Sequence, residues 1–209
     1  MKKTLVITVL VALLCTSIGL SNTRVHAIPM LGNLSCWYSD AVSIGRWGTH
    51  NFTIYRHKMN TNGYFFFLSA FQHSVSQWAS ALPISITAVN TPGSQTFSVY
   101  GGTVSELATL GYTSLPSGIN GITYYSCSAE GGWSYGTSTM QGYKYTSATC
   151  LILDNGNTSD QYKKTTTHEM GHALGWQGHS GNAADIMYST GSSVTNLTFR
   201  DQDHLSQVY

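Results

Sequence analysis

The run His168-Glu169-Met170-Gly171-His172-Ala173-Leu174-Gly175-Trp176-Gln177-Gly178-His179 constrains this chain more than any other stretch. On an α-helix, residues four apart lie about 40° from each other around the axis and one turn apart, so His168 and His172 project from one face. Gly175 is suited to the left-handed conformation that ends a helix and reverses the chain. The reversal would bring His179 back as a third imidazole. Three protein ligands with a fourth position open are the donor set of a catalytic rather than a structural zinc site. Glu169 lies beside the pair, placed to reach a water without being a ligand itself.

A bare His-Glu-x-x-His also fits a helix with two surface histidines. The glycine, the third histidine and Met187, in Ala184-Asp185-Ile186-Met187-Tyr188, extend the match well beyond that pair. Together they resemble the metzincin clan of zinc endopeptidases. Ser180 directly after the third histidine, and Met187-Tyr188 in the following turn, resemble the matrixins within that clan. Weaker similarities flank the site. Trp47–Tyr55 resembles the first strand of a matrixin catalytic domain, Trp78 with Pro83-Ile84-Ser85-Ile86 the end of its first helix and its second strand, and Asp201–Tyr209 its last helix.

The resemblance implies an α+β fold: a metzincin-like catalytic domain with a twisted, mostly parallel five-stranded sheet, three helices and an active-site cleft. It implies one catalytic zinc on His168, His172 and His179, and peptide hydrolysis by a zinc-activated water with Glu169 as general base. Met187 would be a packed floor beneath the metal, supporting the site together with Gly175. Strand 122–126 would form an exposed rim to which a polypeptide substrate pairs in extended form. One departure bears on specificity. Where matrixins place a proline after Met-Tyr, this chain has Ser189-Thr190-Gly191, so the family's preference for the residue after the cleaved bond does not carry over. The histidine- and aspartate-rich loop that holds a structural zinc and calcium in many matrixins has no counterpart. His50, His57 and His73 are scattered and read as ordinary polar residues. Asp154-Asn155-Gly156-Asn157 has too few carboxylates at alternating positions for a calcium loop and reads as a turn.

Met1-Lys2-Lys3, the apolar run from Leu5 to Leu20 and the small-x-small Val25-His26-Ala27 read as a signal peptide over residues 1–27. The run is too short and wrongly flanked for a membrane anchor. The expectation is a secreted, extracellular, monomeric protein, with residues 28–45 as a short leader and residues 46–209 as the catalytic domain. Ten basic side chains face nine acidic ones over the whole chain. Losing Lys2, Lys3 and Arg24 turns the balance slightly negative. No basic stripe remains for nucleic acid or an anionic membrane to bind.

Along the chain, Asn51–Arg56 alternates as a strand should. Phe67, Phe71, Val75, Trp78 and Leu82 recur at helical spacing, which makes them a core face, and Pro83 stops the pattern. Residues 84–89, 96–100, 122–126 and 148–153 read as further strands. Residues 101–121 read as loop-rich and Gly131–Tyr145, full of Gly, Ser and Tyr, as a long loop.

Removing the signal leaves Cys36, Cys127 and Cys150, an odd number for an oxidising compartment. In the family the chain resembles, the strands bearing Cys127 and Cys150 are neighbours, which implies a bridge between them. Cys36 is then a free thiol, an intermolecular partner, or a latency ligand for the zinc, a role Asp40 is also able to fill; a different bridge altogether is the remaining alternative. Two other functional classes share this sequence: a secreted binding or adhesive module without turnover, which would not need Glu169, and a zinc hydrolase acting on a non-peptide bond.

Overall fold

Alternation along Asn51–Arg56 becomes a strand with one face inward: Phe52 and Ile54 are buried, Asn51 is exposed and Thr53 half-buried. Burying side chains of that size contributes about 1.5–3 kcal/mol each. In the computed structural model, residues 29–57, 64–190 and 193–209 are described. The stretch read as a signal peptide lies outside them.

In chain order the elements are strands β1 (Met30–Asn33), β2 (Ser43–Arg46) and β3 (Asn51–Arg56), helix α1 (Tyr64–Ala81), strands β4 (Ser85–Val89) and β5 (Phe97–Gly102), helix α2 (Val104–Thr109), strands β6 (Gly121–Tyr135) and β7 (Ser138–Leu153), and helices α3 (Ser159–Leu174) and α4 (Phe199–Ser206). The result is a mixed α+β fold around a curled, mostly parallel sheet. The described residues hold seven strands and four helices, where five and three were expected.

Sheet order is β1-β6-β7-β5-β3-β4. All pairings are parallel except β6 with β7. β6 runs along one edge of β7 for its whole length. The other edge of β7 takes β2 at Gln141–Lys144 and β5 at Thr149–Leu153. On its far side β6 meets β1 only at Gly132–Ser134. Residues 121–129 of β6 are therefore a sheet edge among the described residues.

α1 lays Phe67, Ala70, Ser74 and Trp78 into the core at intervals of three and four, with Phe71 beside them. Its Trp78 Nε1 donates to Thr167 O on α3 at 2.9 Å, and Ser74 Oγ lies 2.8 Å from Thr167 Oγ1. These two contacts fix how the helices lie against each other. Among the described residues, no helix is long and apolar enough to cross a membrane.

Four local expectations are corrected. Gly131–Tyr145 is not a loop but the distal half of the β6–β7 hairpin. Its glycines serve close packing: a Cβ on Gly142 would stand 2.7 Å from Gly131 O, and one on Gly131 would stand 2.5 Å from Pro29 O. Within 101–121 lies α2, started by a capping box in which Thr103 Oγ1 accepts from Glu106 N while the Glu106 carboxylate accepts from Thr103 N. Residues 28–45, read as a short leader without periodic pattern, contribute β1 and all of β2 but Arg46, and bury Leu34 and Ile44.

The fourth correction concerns the cysteines: among the described residues, Cys36, Cys127 and Cys150 form no disulfide. β6 and β7 are neighbours as expected, but in their register Cys150 stands opposite Thr123 and Cys127 opposite Tyr145. Four residues of strand separate Thr123 from Cys127, about 13 Å at the usual rise. That exceeds the roughly 7 Å Cα separation a bridge tolerates.

Candidate metal centre

α3 begins at the N-cap Thr158, whose hydroxyl accepts from Gln161 N while the Gln161 side chain returns the bond to Thr158 N. From Lys164 to Gly171 every residue is buried. A helix in that position is held by packing on all sides, so the direction of its side chains is fixed. Gly171 allows the closest of these contacts, since a Cβ there would stand 2.4 Å from Met187 Sδ and 2.9 Å from Trp78. Met187, fully buried, thus fits directly beneath the helix that carries His168 and His172.

Gly175 ends α3 with φ 124°, its N–H returning to Gly171 O and His172 O. A Cβ would strike Gly45 O at 2.1 Å, so both the conformation and the space demand glycine. A second left-handed glycine, Gly178 with φ 72°, completes the reversal. The sequence reading did not single it out, although a glycine directly before the third histidine was a visible signal.

The turn brings His179 to the helix. His168, His172 and His179 each offer a ring nitrogen within 4.8 Å of the others, close enough to bind one metal ion. His168 Nδ1 lies 2.8 Å from Ile186 O and His172 Nδ1 lies 2.7 Å from Trp176 O. A carbonyl partner requires N–H at Nδ1, which leaves the Nε2 lone pairs for a ligand. Those two Nε2 atoms are 3.1 Å apart. Nitrogens each about 2.0–2.1 Å from one tetrahedral zinc would stand about 3.3 Å apart. The donor set and its spacing fit such an ion. His168 is buried while His172 and His179 are half-buried, so the cluster opens on one side.

Electrostatics favour ligation. Burial lowers the pKa of all three rings, and neighbouring positive charge adds to it, with the Asp40 carboxylate opposing at His179; His172 falls to about 4. Neutral imidazole is the ligating form. Glu169, also buried, has its carboxyl pushed up to about 7 by burial, against the opposing pull of Thr123 and Lys164. A cation among the histidines would draw it down again. Thr123 Oγ1 lies 2.7 Å from Glu169 Oε2, leaving Oε1 as the oxygen without this bond.

The Met187 turn is tied from two sides, in part through Lys164 and Arg200, which carry no signal in the sequence. Asp201 on α4 accepts from Ile186 N at 3.0 Å and from Met187 N at 3.1 Å. Lys164 donates to Ile186 O and, at 3.1 Å, to Tyr188 O. Arg200 grips Asp185 with Nε at 3.0 Å and Nη2 at 2.7 Å from Oδ1. Ser180 Oγ donates to the same carboxylate. Burial alone would raise the pKa of Asp185, but its bonds to Arg200, Ser180 and Thr198 outweigh that and hold it below the usual range.

The remaining expected residues sit elsewhere. His50, His57 and His73 bond to Pro83 O, Tyr55 Oη and Thr195 O respectively. Asp154–Asn157 is a turn in which Gly156 N donates to Asp154 Oδ1. Cys36 lies beside α4, with its backbone N and O both held by Gln207, and is not part of the histidine cluster. Asp40 does stand next to His179, but its Oδ1 accepts the His179 backbone N–H at 2.6 Å. No family model matches the chain, and neither does any curated protein.

Proposed function

We propose that the protein is a secreted zinc-dependent endopeptidase that cleaves polypeptides bound in extended form. The observation that carries this reading is the convergence of three histidines with a buried carboxylate next to them. Its ordering, His168-Glu169, His172, Gly175, His179 and then Met187, resembles the metzincins, and Ser180 and Tyr188 resemble the matrixins. His168, His172 and His179 would hold the zinc. When bound, it would supply a Lewis acid for the scissile carbonyl and lower the pKa of a water towards about 7.

The chain's own residues supply the remaining chemistry. Glu169 accepts a proton from the attacking water at Oε1 and hands it to the departing amine nitrogen. Thr123, bonded to Oε2, fixes the orientation of the carboxylate. The open edge of β6 over residues 121–129 supports binding of an extended peptide by strand addition. That geometry favours a polypeptide over a small ester or amide. Monomeric action is part of the same proposal.

Casein digestion by the purified protein, with and without a chelator and a peptide hydroxamate, tests the reading. Cleavage that both agents abolish is the expected result. Zinc binding without cleavage of casein or of any library peptide would instead identify a binding module or a hydrolase of other bonds.

A further inference from the structure

We infer that the segment Ser39–Gly45 is a permanent part of the metal centre and that Asp40 is a positioning residue for the third ligand, an inference that rests on the metal-binding reading above. His168 and His172 are fixed by a helix buried on all sides. His179 is not. It lies on the loop 175–180, which contains two left-handed glycines, Gly175 and Gly178. Such a loop has many conformations open to it, and something outside it must select one.

The segment from Ser39 to Gly45 makes that selection residue by residue. Gly45 N donates to Gly175 O at 2.8 Å. Ser39 Oγ donates to Gln177 O, and Ser43 Oγ donates to Gln177 Oε1. Asp40 then clasps His179 from both sides of its backbone: Oδ1 accepts the His179 N–H at 2.6 Å, and Asp40 N donates to His179 O at 2.9 Å. Ser39 forms an antiparallel bridge with Ser180, which on its other side bridges Tyr188. The ligand loop is thereby held between the N-terminal segment and the Met187 turn.

The fit at Asp40 is tight. A Cβ on Gly178 would stand 2.3 Å from Asp40 Oδ1 and 2.7 Å from Ala41 N. Glycine at 178 therefore serves the clasp as well as the turn. Two consequences follow. Cutting the chain between Asp40 and the domain would remove the clasp, so residues 39–45 stay in the active protein. Asp40, engaged with the backbone of His179, acts on the metal through its ligand and not as a latency ligand of its own.

The test compares wild type, Asp40→Ala and Asp40→Asn in metal-free form. Zinc affinity is read by competition with a chromophoric chelator, ligand geometry by the absorption of the cobalt-substituted protein, and metal-free stability by urea unfolding. Outer partners of metal ligands typically contribute about 10- to 100-fold in metal affinity. Asp40→Ala should lose that much zinc affinity and show an altered cobalt spectrum while its metal-free form remains folded. Asp40→Asn, which keeps an acceptor at Oδ1, should restore most of the affinity. Should the alanine form not fold, Asp40→Ser takes its place, because its hydroxyl is too short to span the same gap. Wild-type affinity in the alanine or serine form, or an asparagine form as impaired as alanine, overturns the inference alone. A wild-type chain that binds no zinc overturns the metal reading and this inference with it.

Discussion

Thr123 Oγ1 on β6 lies 2.7 Å from the Glu169 carboxylate and 3.0 Å from the Glu169 carbonyl. One hydroxyl thus joins the open edge strand to the acidic residue beside the histidines. Gly121, two residues earlier, makes the approach possible, since a Cβ there would stand 2.8 Å from the Glu169 side chain.

A hydrogen bond to a charged group contributes about 1.5–3 kcal/mol. Thr123→Val keeps the shape and removes that bond. If the bond holds Glu169 in its working orientation, kcat for peptide cleavage should fall about 10- to 100-fold with zinc content unchanged. Steady-state kinetics with metal analysis of the same sample check it.

Met187 packs against the metal-bearing helix at Gly171. Met187→Leu conserves volume and should cost less than about 1.5 kcal/mol in urea unfolding, with zinc retained. Gly171→Ala should be worse, because its Cβ has no room against Met187 and Trp78; overpacking of this kind costs about 1–3 kcal/mol. Zinc loss at unchanged fold in Met187→Leu would show that the methionine does more than pack.

His204 on α4 gives the metal-free protein a pH dependence of its own. It is fully buried, its ring tilted against that of Trp176 with centroids 3.9 Å apart and its Nδ1 accepting from Tyr38 N at 3.2 Å. Burial lowers its pKa to about 3, against about 6.5 in an unfolded chain. Between those values the unfolded chain binds the extra proton, so this contribution is full above about pH 6.5 and is lost as the pH falls towards 3. The slope is about 1.4 kcal/mol per pH unit. Urea unfolding from pH 4 to 6.5, in the presence of a chelator, should show a slope that is shallower by roughly this amount in His204→Phe. Equal slopes in the two proteins would contradict it.

The parts legible in the sequence are those encoded by local spacing. The 168–179 motif places its residues by helix periodicity and one obligatory glycine, and the Phe67–Trp78 stripe by periodicity alone. The distal β6–β7 hairpin was not legible, because Gly131, Gly132 and Gly142 signal a turn locally, while in the fold they pair across the hairpin and are flanked by β1 and β2 from far away in the chain. Those two strands were hidden for the same reason: at four residues each they are too short to show a period. The Cys127–Cys150 pairing failed on register, which strand neighbourhood does not determine. Asp40 reads in the sequence as a possible metal ligand, but its bond to the His179 backbone depends on two loops meeting in space.

Glu169 carries the central claim, and its removal tests that claim most directly. Glu169→Ala leaves all three histidines in place, so the purified variant should still bind about one zinc per chain. Its rate of casein digestion should fall by about 10²- to 10⁴-fold, the usual contribution of a general base. A Glu169→Ala protein that holds zinc and digests casein at close to the wild-type rate would contradict the account.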